Sequence, residues 1–360
     1  MNDILGHALA KQTLAQAVAR DRVHHAYLFT GPEGVGKRRV AYALVARLFC
    51  TATTPAAAGD ACGVCRSCRR VFETPTWYDA KSPFLAKDDA PEISPRHPDL
   101  LTLVAHGNFI KIEQVREVLR IVPFQPVEAP QRVVIIDGAH DLNDAAANAL
   151  LKTLEEPPAR TRFILITSQP SNLLVTIRSR CQRVAFGRLS DTDLASILTS
   201  RGADPALAAA AIPLAEGSAR AAIDLLDDPL IKVWEPLAQR LLEATSGPAV
   251  HELAAALAEL PQRDAIFDRI ARLVRDALLL RTGTGQRLFH ESLRPALSTW
   301  ATARPAEAIL HRLALVEDTR LTTRTFNIAP RLAFERLLLA ICSPAGSELA
   351  RPLFVRRDIL

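Results

Sequence analysis

No part of the 360-residue chain carries an uninterrupted apolar run close to the roughly 20 residues that a membrane-spanning helix needs. The opening stretch, MNDILGHALAKQTLAQAVARDR (1–22), is charged and amphipathic, so the chain reads as cytoplasmic. Excess charge is also scarce. A net charge of +5, with 23% charged and 49% hydrophobic residues, describes an ordinary globular protein and permits contact with nucleic acid without demanding it. There is no internal repeat, no low-complexity tract beyond alanine clusters, and no convincing strand signal after about residue 187. Two absences bear on chemistry: no hydroxyl residue follows Lys37, and no glutamate follows Asp137.

Four of the six cysteines, by contrast, are crowded together. Cys62, Cys65 and Cys68 form C-x-x-C-x-x-C, and Cys50 closes the helical run before them. Such spacing brings three thiolates to one ion, and a fourth completes a tetrahedral sulfur site suited to zinc. Two disulfides are the alternative, which a cytosolic protein does not normally keep. With four protein ligands no position stays open, so the role is structural. Arg66, Arg69 and Arg70 lie beside the cluster in sequence and are read as offsetting its negative charge. Cys181 and Cys342 are isolated and read as packed side chains. Direct binding of nucleic acid by the module is a competing class, but it lacks the interleaved aromatics that stacking on bases needs.

Strand and helix signals alternate through the first 185 or so residues. Residues 24–30 are a short apolar run, 37–50 have helical spacing, and 74–98 are rich in Pro, Asp and Lys and read as an irregular insertion. A helix at 110–122, a buried strand at 131–137, a helix at 144–156 stopped by Pro157 and Pro158, and a strand at 162–168 follow. The alternation predicts a parallel sheet with helices on both faces. From Ser190, which caps a helix ending near Gly202, the chain is helical. The expected division is an α/β domain over 1–186 with the cysteine module at 50–68, a small helical domain over 187–239, and a second helical domain over 240–360.

Residues 31–37, GPEGVGK, supply Gly31, Gly34, Gly36 and Lys37 in the G-x-x-x-x-G-K pattern between a strand and a helix, the context a phosphate loop requires. The Ser or Thr that would hold magnesium is replaced by Arg38. Asp137 ends an apolar strand, as the magnesium-associated aspartate of such enzymes does, but Gly138 stands where the base would be. Both departures strike hydrolysis, and loss of a positioned base alone costs roughly 10²–10⁴ in rate. Lys37 either still meets a phosphate or is a relic of one. Thr167 and Ser168, at a strand end, sit where a γ-phosphate sensor would, though such residues more often form turns.

The chain resembles bacterial clamp-loader subunits of the AAA+ class. The resemblance rests on LLKTLEEPP (150–158), FILITSQPSNLLVTIRSRC (163–181), HHAYLFTGPEGVGK (24–37), HPDLL (97–101) and NIAPRLAFERLLL (327–339), and it covers nearly the whole length. It implies an AAA+ α/β domain with an inserted zinc module, a helical lid and an all-α collar. Within the family, the altered loop and missing glutamate resemble the ATPase-defective δ′ type; an active τ/γ-like motor is the alternative. The resemblance further implies partners: τ or γ motor subunits, a δ subunit, the sliding clamp and primer-template DNA, in a pentamer joined by the collar. It makes Arg180, in S-R-C after what reads as the last strand, an arginine finger acting in trans on a neighbour's ATP; otherwise Arg180 is a solvated arginine. Arg220 resembles a lid sensor arginine, or is solvated at a helix start.

Overall fold

Four apolar runs and one short polar segment make the sheet in the computed structural model, which describes residues 4–52, 60–73, 97–105, 107–244 and 247–343. The strands are β1 (Ala26–Thr30), β2 (Leu100–Leu103), β3 (Arg132–Asp137), β4 (Thr161–Thr167) and β5 (Gln182–Ala185). Their order is β2-β3-β4-β1-β5, and every pairing is parallel. Parallel strands covered on both faces read as continuous apolar runs, and β1 and β4 do so. Successive side chains then serve opposite faces. Tyr27 and Phe29 pack with α1 (Ala8–Ala19), α2 (Lys37–Phe49) and α3 (Arg66–Phe72) through Leu14, Val40, Leu44, Phe49 and Val71. Leu28 and Val134 pack with α4 (Ile112–Ile121), α5 (Asp144–Glu155) and α6 (Val175–Arg180) through Val118, Leu150, Leu154 and Ile177.

Register fixes what stands at the carboxyl edge of the sheet. Thr30 pairs with Thr167, and Asp137 pairs with Ile166, so the chain leaves β1, β3 and β4 at one level. Ligands of open parallel sheets sit outside these strand ends. Two elements differ from the sequence reading. β2, which carries HPDLL into the sheet, has no alternation to betray it. β5 lies after Arg180, so that arginine precedes the last strand rather than following it.

The chain divides into two units, Met1–Ile197 with Gly217–Ala221, and Leu198–Glu216 with Ala222–Leu360. The first holds the sheet. Among the described residues, helices α7 (Asp191–Ser200), α8 (Pro205–Ala215), α9 (Ala219–Leu226), α10 (Pro229–Glu243), α11 (Gly247–Glu259), α12 (Arg263–Thr282), α13 (Arg294–Thr302), α14 (Ala306–Phe326) and α15 (Pro330–Cys342) follow. The Ser190 hydroxyl accepts from Asp193 N at 3.1 Å and so caps α7, as its sequence predicts. In the second unit Trp234, Phe267, Leu273, Trp300, Val316 and Phe334 share one core. Among the described residues no helix is long and apolar enough to cross a membrane. The insertion expected at 74–98 falls almost wholly outside the described residues.

Candidate functional site

The loop after β1 turns through Gly31, Gly34 and Gly36 into α2, with Gly36 as the residue before the first helical turn. Gly34 has φ +72°, and a Cβ there would lie 2.2 Å from Ser218 Oγ and 2.7 Å from Arg220 Cβ. Only glycine fits that approach. Arg220 N donates to Gly34 O at 3.1 Å, so Arg220 is brought beside the loop by its backbone. Lys37 Nζ donates to Gly31 O at 2.7 Å and Pro32 O at 2.6 Å, bracing the loop. Burial pushes the Lys37 ammonium below its usual range, against the pull of Asp137 and Glu33.

Arg38 does more than replace a hydroxyl. Its Nε and NH2 groups both engage Asp137 Oδ2 across the strand end. A guanidinium offers donors and no acceptor, so it can meet the carboxylate but cannot ligate a cation. At the next position Gly138 has φ +76°, and a Cβ would lie 2.6 Å from Asp141 Oδ2. The missing base is therefore also a backbone matter: a side chain at 138 meets a left-handed conformation, and the Asp141 carboxylate must turn aside for it. The pattern of departures was legible in the sequence. The ion pair that follows from it, between residues far apart in the chain, was not.

Thr167 and Ser168 meet a partner that sequence reading missed. Thr167 Oγ1 lies 3.2 Å from His140 Nδ1, and Ser168 Oγ lies 3.5 Å from His140 Nε2. Nothing in the spacing singles out His140, which stands in the 3₁₀ turn Ala139–Asp141 after β3. Arg180, at the end of α6, donates from NH1 to Thr176 O at 2.9 Å and from NH2 to Glu155 Oε1. Its side chain is 33% exposed. Glu155 is the second residue missed: LEEPP reads only as a helix end, yet its first glutamate holds the arginine.

The four cysteines do come together. Their sulfurs all lie within 4.8 Å of one another, and Cys62 N, Cys65 N and Cys68 N donate to the sulfurs of Cys50, Cys62 and Cys65 at 3.5, 3.3 and 3.4 Å. Burial acts to raise the Cys65 thiol, but donors from Cys68 and Thr51 outweigh it and bring it to about 6. Burial raises Cys68. Four sulfurs arranged this way, with N–H groups aimed at them, could hold one metal ion. Of the flanking arginines, Arg70 and Arg66 pair with Glu128 at 2.7 and 3.6 Å, and Arg69 donates to Val64 O at 2.9 Å.

Comparison with known proteins agrees with this composition of parts. Residues 6–79 and 92–190 match the family model described as DNA polymerase III, delta subunit. The delta' subunit of Bacillus subtilis DNA polymerase III is 26% identical over 339 residues, covering 91% of this chain and 94% of that protein. The delta' subunit of Pseudomonas aeruginosa is 37% identical over 173 residues, 48% of this chain and 45% of that protein. The tau subunit of Salmonella typhimurium is 31% identical over 281 residues, or 76% of this chain, and the chain spans 40% of that longer protein.

Proposed function

The chain belongs to the clamp-loader subunit family of DNA polymerase III, and from that premise we propose that it is an ATPase-defective, δ′-type subunit of a cytoplasmic loader. The observation that carries this reading is the contrast between two arginines. Arg38 is spent inside the chain's own phosphate loop, on the carboxylate that magnesium chemistry would need. Arg180 stands partly exposed at the end of α6, its side chain held among the described residues by Glu155 and a helix carbonyl. A subunit built this way is silent at its own loop and contributes to a neighbour's.

In this reading Arg180 leaves Glu155 for the phosphoryl group bound by a τ or γ motor subunit. Its planar charge stabilises the transition state there, a contribution of roughly 10³–10⁵ in rate for such fingers. Residues 187–239 serve as a lid, with Arg220 beside the loop, and 240–360 as the collar that joins motors, δ and this chain. ATP turnover by the neighbours then loads the sliding clamp onto primer-template DNA. Cys50, Cys62, Cys65 and Cys68 hold a structural zinc ion, closed to substrate because all four positions are protein sulfurs.

The match to tau favours a second reading, an active motor. Residues 38 and 138 oppose it, and the isolated chain should show no ATP turnover above background. The deciding experiment is a reconstituted loader carrying Arg180→Ala. It should assemble as wild type does but lose DNA-stimulated ATP hydrolysis in part and clamp loading more severely. Arg180→Lys should rescue poorly, because a point charge does not reproduce the planar fork. Assembly with wild-type loading rates would reduce the subunit to a scaffold.

A further inference from the structure

Magnesium, which phosphate-loop chemistry implies, does not fit the residues that are present. In a loop that takes the ion, a hydroxyl after the lysine and an aspartate at a strand end share it. Here position 38 supplies no oxygen, and Asp137 Oδ2 already accepts from Arg38 through Nε and NH2. The two side chains are only 13% and 12% exposed, so the pair sits within the fold rather than at its surface. Lys37 is likewise directed to the loop carbonyls of Gly31 and Pro32.

We propose that Arg38 is a built-in substitute for the divalent cation: its guanidinium neutralises Asp137 and holds the phosphate loop in its folded form without metal or nucleotide. The loop is thereby retained as a structural element with its ionic requirement met internally. A tethered charge needs no free ion and is not released with product, so the site has no apo and holo states to alternate between. This inference rests on the reading of a silent loop, but not on Arg180 acting in trans.

The test uses the full chain as wild type, Arg38→Thr, and Arg38→Thr combined with Asp137→Asn, melted with ATP, with magnesium, with both, and with EDTA. Wild type should show no magnesium-dependent shift by ATP. Arg38→Thr restores a hydroxyl and frees Asp137, so it should gain a rise of a few degrees with magnesium and ATP together. EDTA or the added Asp137→Asn should abolish that rise. A magnesium-dependent shift in wild type, or none in folded Arg38→Thr, overturns the proposal. If Arg38→Thr does not fold, Asp137→Asn alone decides: it should lower the melting temperature by removing the carboxylate that meets the Arg38 charge, and an unchanged value overturns the proposal. Magnesium-dependent hydrolysis by wild type would sink both this inference and the silent-subunit reading; an Arg180→Ala variant with full activity would sink only the trans-acting role.

Discussion

Replacing Asp99 with asparagine should loosen the segment that leads into β3, by an amount that can be worked from its contacts. Asp99 is fully buried; Oδ1 accepts from Val127 N at 2.6 Å, and Oδ2 accepts from Glu128 N at 2.7 Å and Ala129 N at 2.8 Å. Arg132 NH2 lies 3.7 Å from Oδ1. Asparagine has the same shape but one acceptor oxygen, so in either orientation its amide faces a backbone N–H. At least one bond to a charged acceptor is lost, about 1.5–3 kcal/mol, and the others fall to neutral strength, about half. The sum is about 3–6 kcal/mol. Arg132 remains anchored through Ile121 O, Phe124 O and Gln125 O, so the strand itself should persist. Hydrogen exchange over residues 123–131 reads the effect locally. The amides of Val127, Glu128 and Ala129 should exchange at least about a hundredfold faster than in wild type, since about 1.4 kcal/mol is tenfold. Rates within about threefold of wild type would refute this account of the Asp99 carboxylate.

The cysteine cluster gives a compositional test: purified chain should carry about one zinc by elemental analysis, Cys65→Ser should release it, and all four thiols alkylating in the native protein would exclude the site. Gly138→Glu should not create an ATPase. The added side chain meets Asp141 Oδ2 at a φ of +76°, so the variant should lose about 1–3 kcal/mol in chemical denaturation and hydrolyse nothing; a stable, active variant would contradict the backbone argument.

What the sequence made legible was local. The helix at α5 follows its stretch at 144–156 and the prolines that end it, and the structure adds a cap from Asn143, whose side chain accepts from Ala146 N at 2.8 Å. α12 follows its amphipathic period over Arg263–Thr282. The cysteine cluster follows from spacing, because C-x-x-C turns bring their own sulfurs together. The rest depends on distant partners. β5 has one buried residue, Val184, and its identity as a strand comes only from pairing with β1 at the sheet edge. Arg38 reads as a lost hydroxyl until the fold brings Asp137 to it, and Glu155 reads as a helix end until α6 returns Arg180 to it. The last two contacts are made by charged side chains whose partners no periodicity encodes.

The pairing of Arg180 with Glu155 bears on which phosphates the arginine answers to. A bare guanidinium at the rim of a basic protein would attract free nucleotide and nucleic acid alike. With a carboxylate already beside it, a phosphate arriving from solution must displace an ion pair that is itself partly screened and worth about 0–1 kcal/mol. Such a handicap is up to about fivefold, slight for any ligand but hardest on a dilute one. A nucleotide fixed in an adjoining subunit is presented at an effective concentration that dwarfs it. On the proposed trans-acting role of Arg180, Glu155 acts as a filter on address rather than on chemistry, favouring the phosphate that an assembly delivers over those that merely diffuse past.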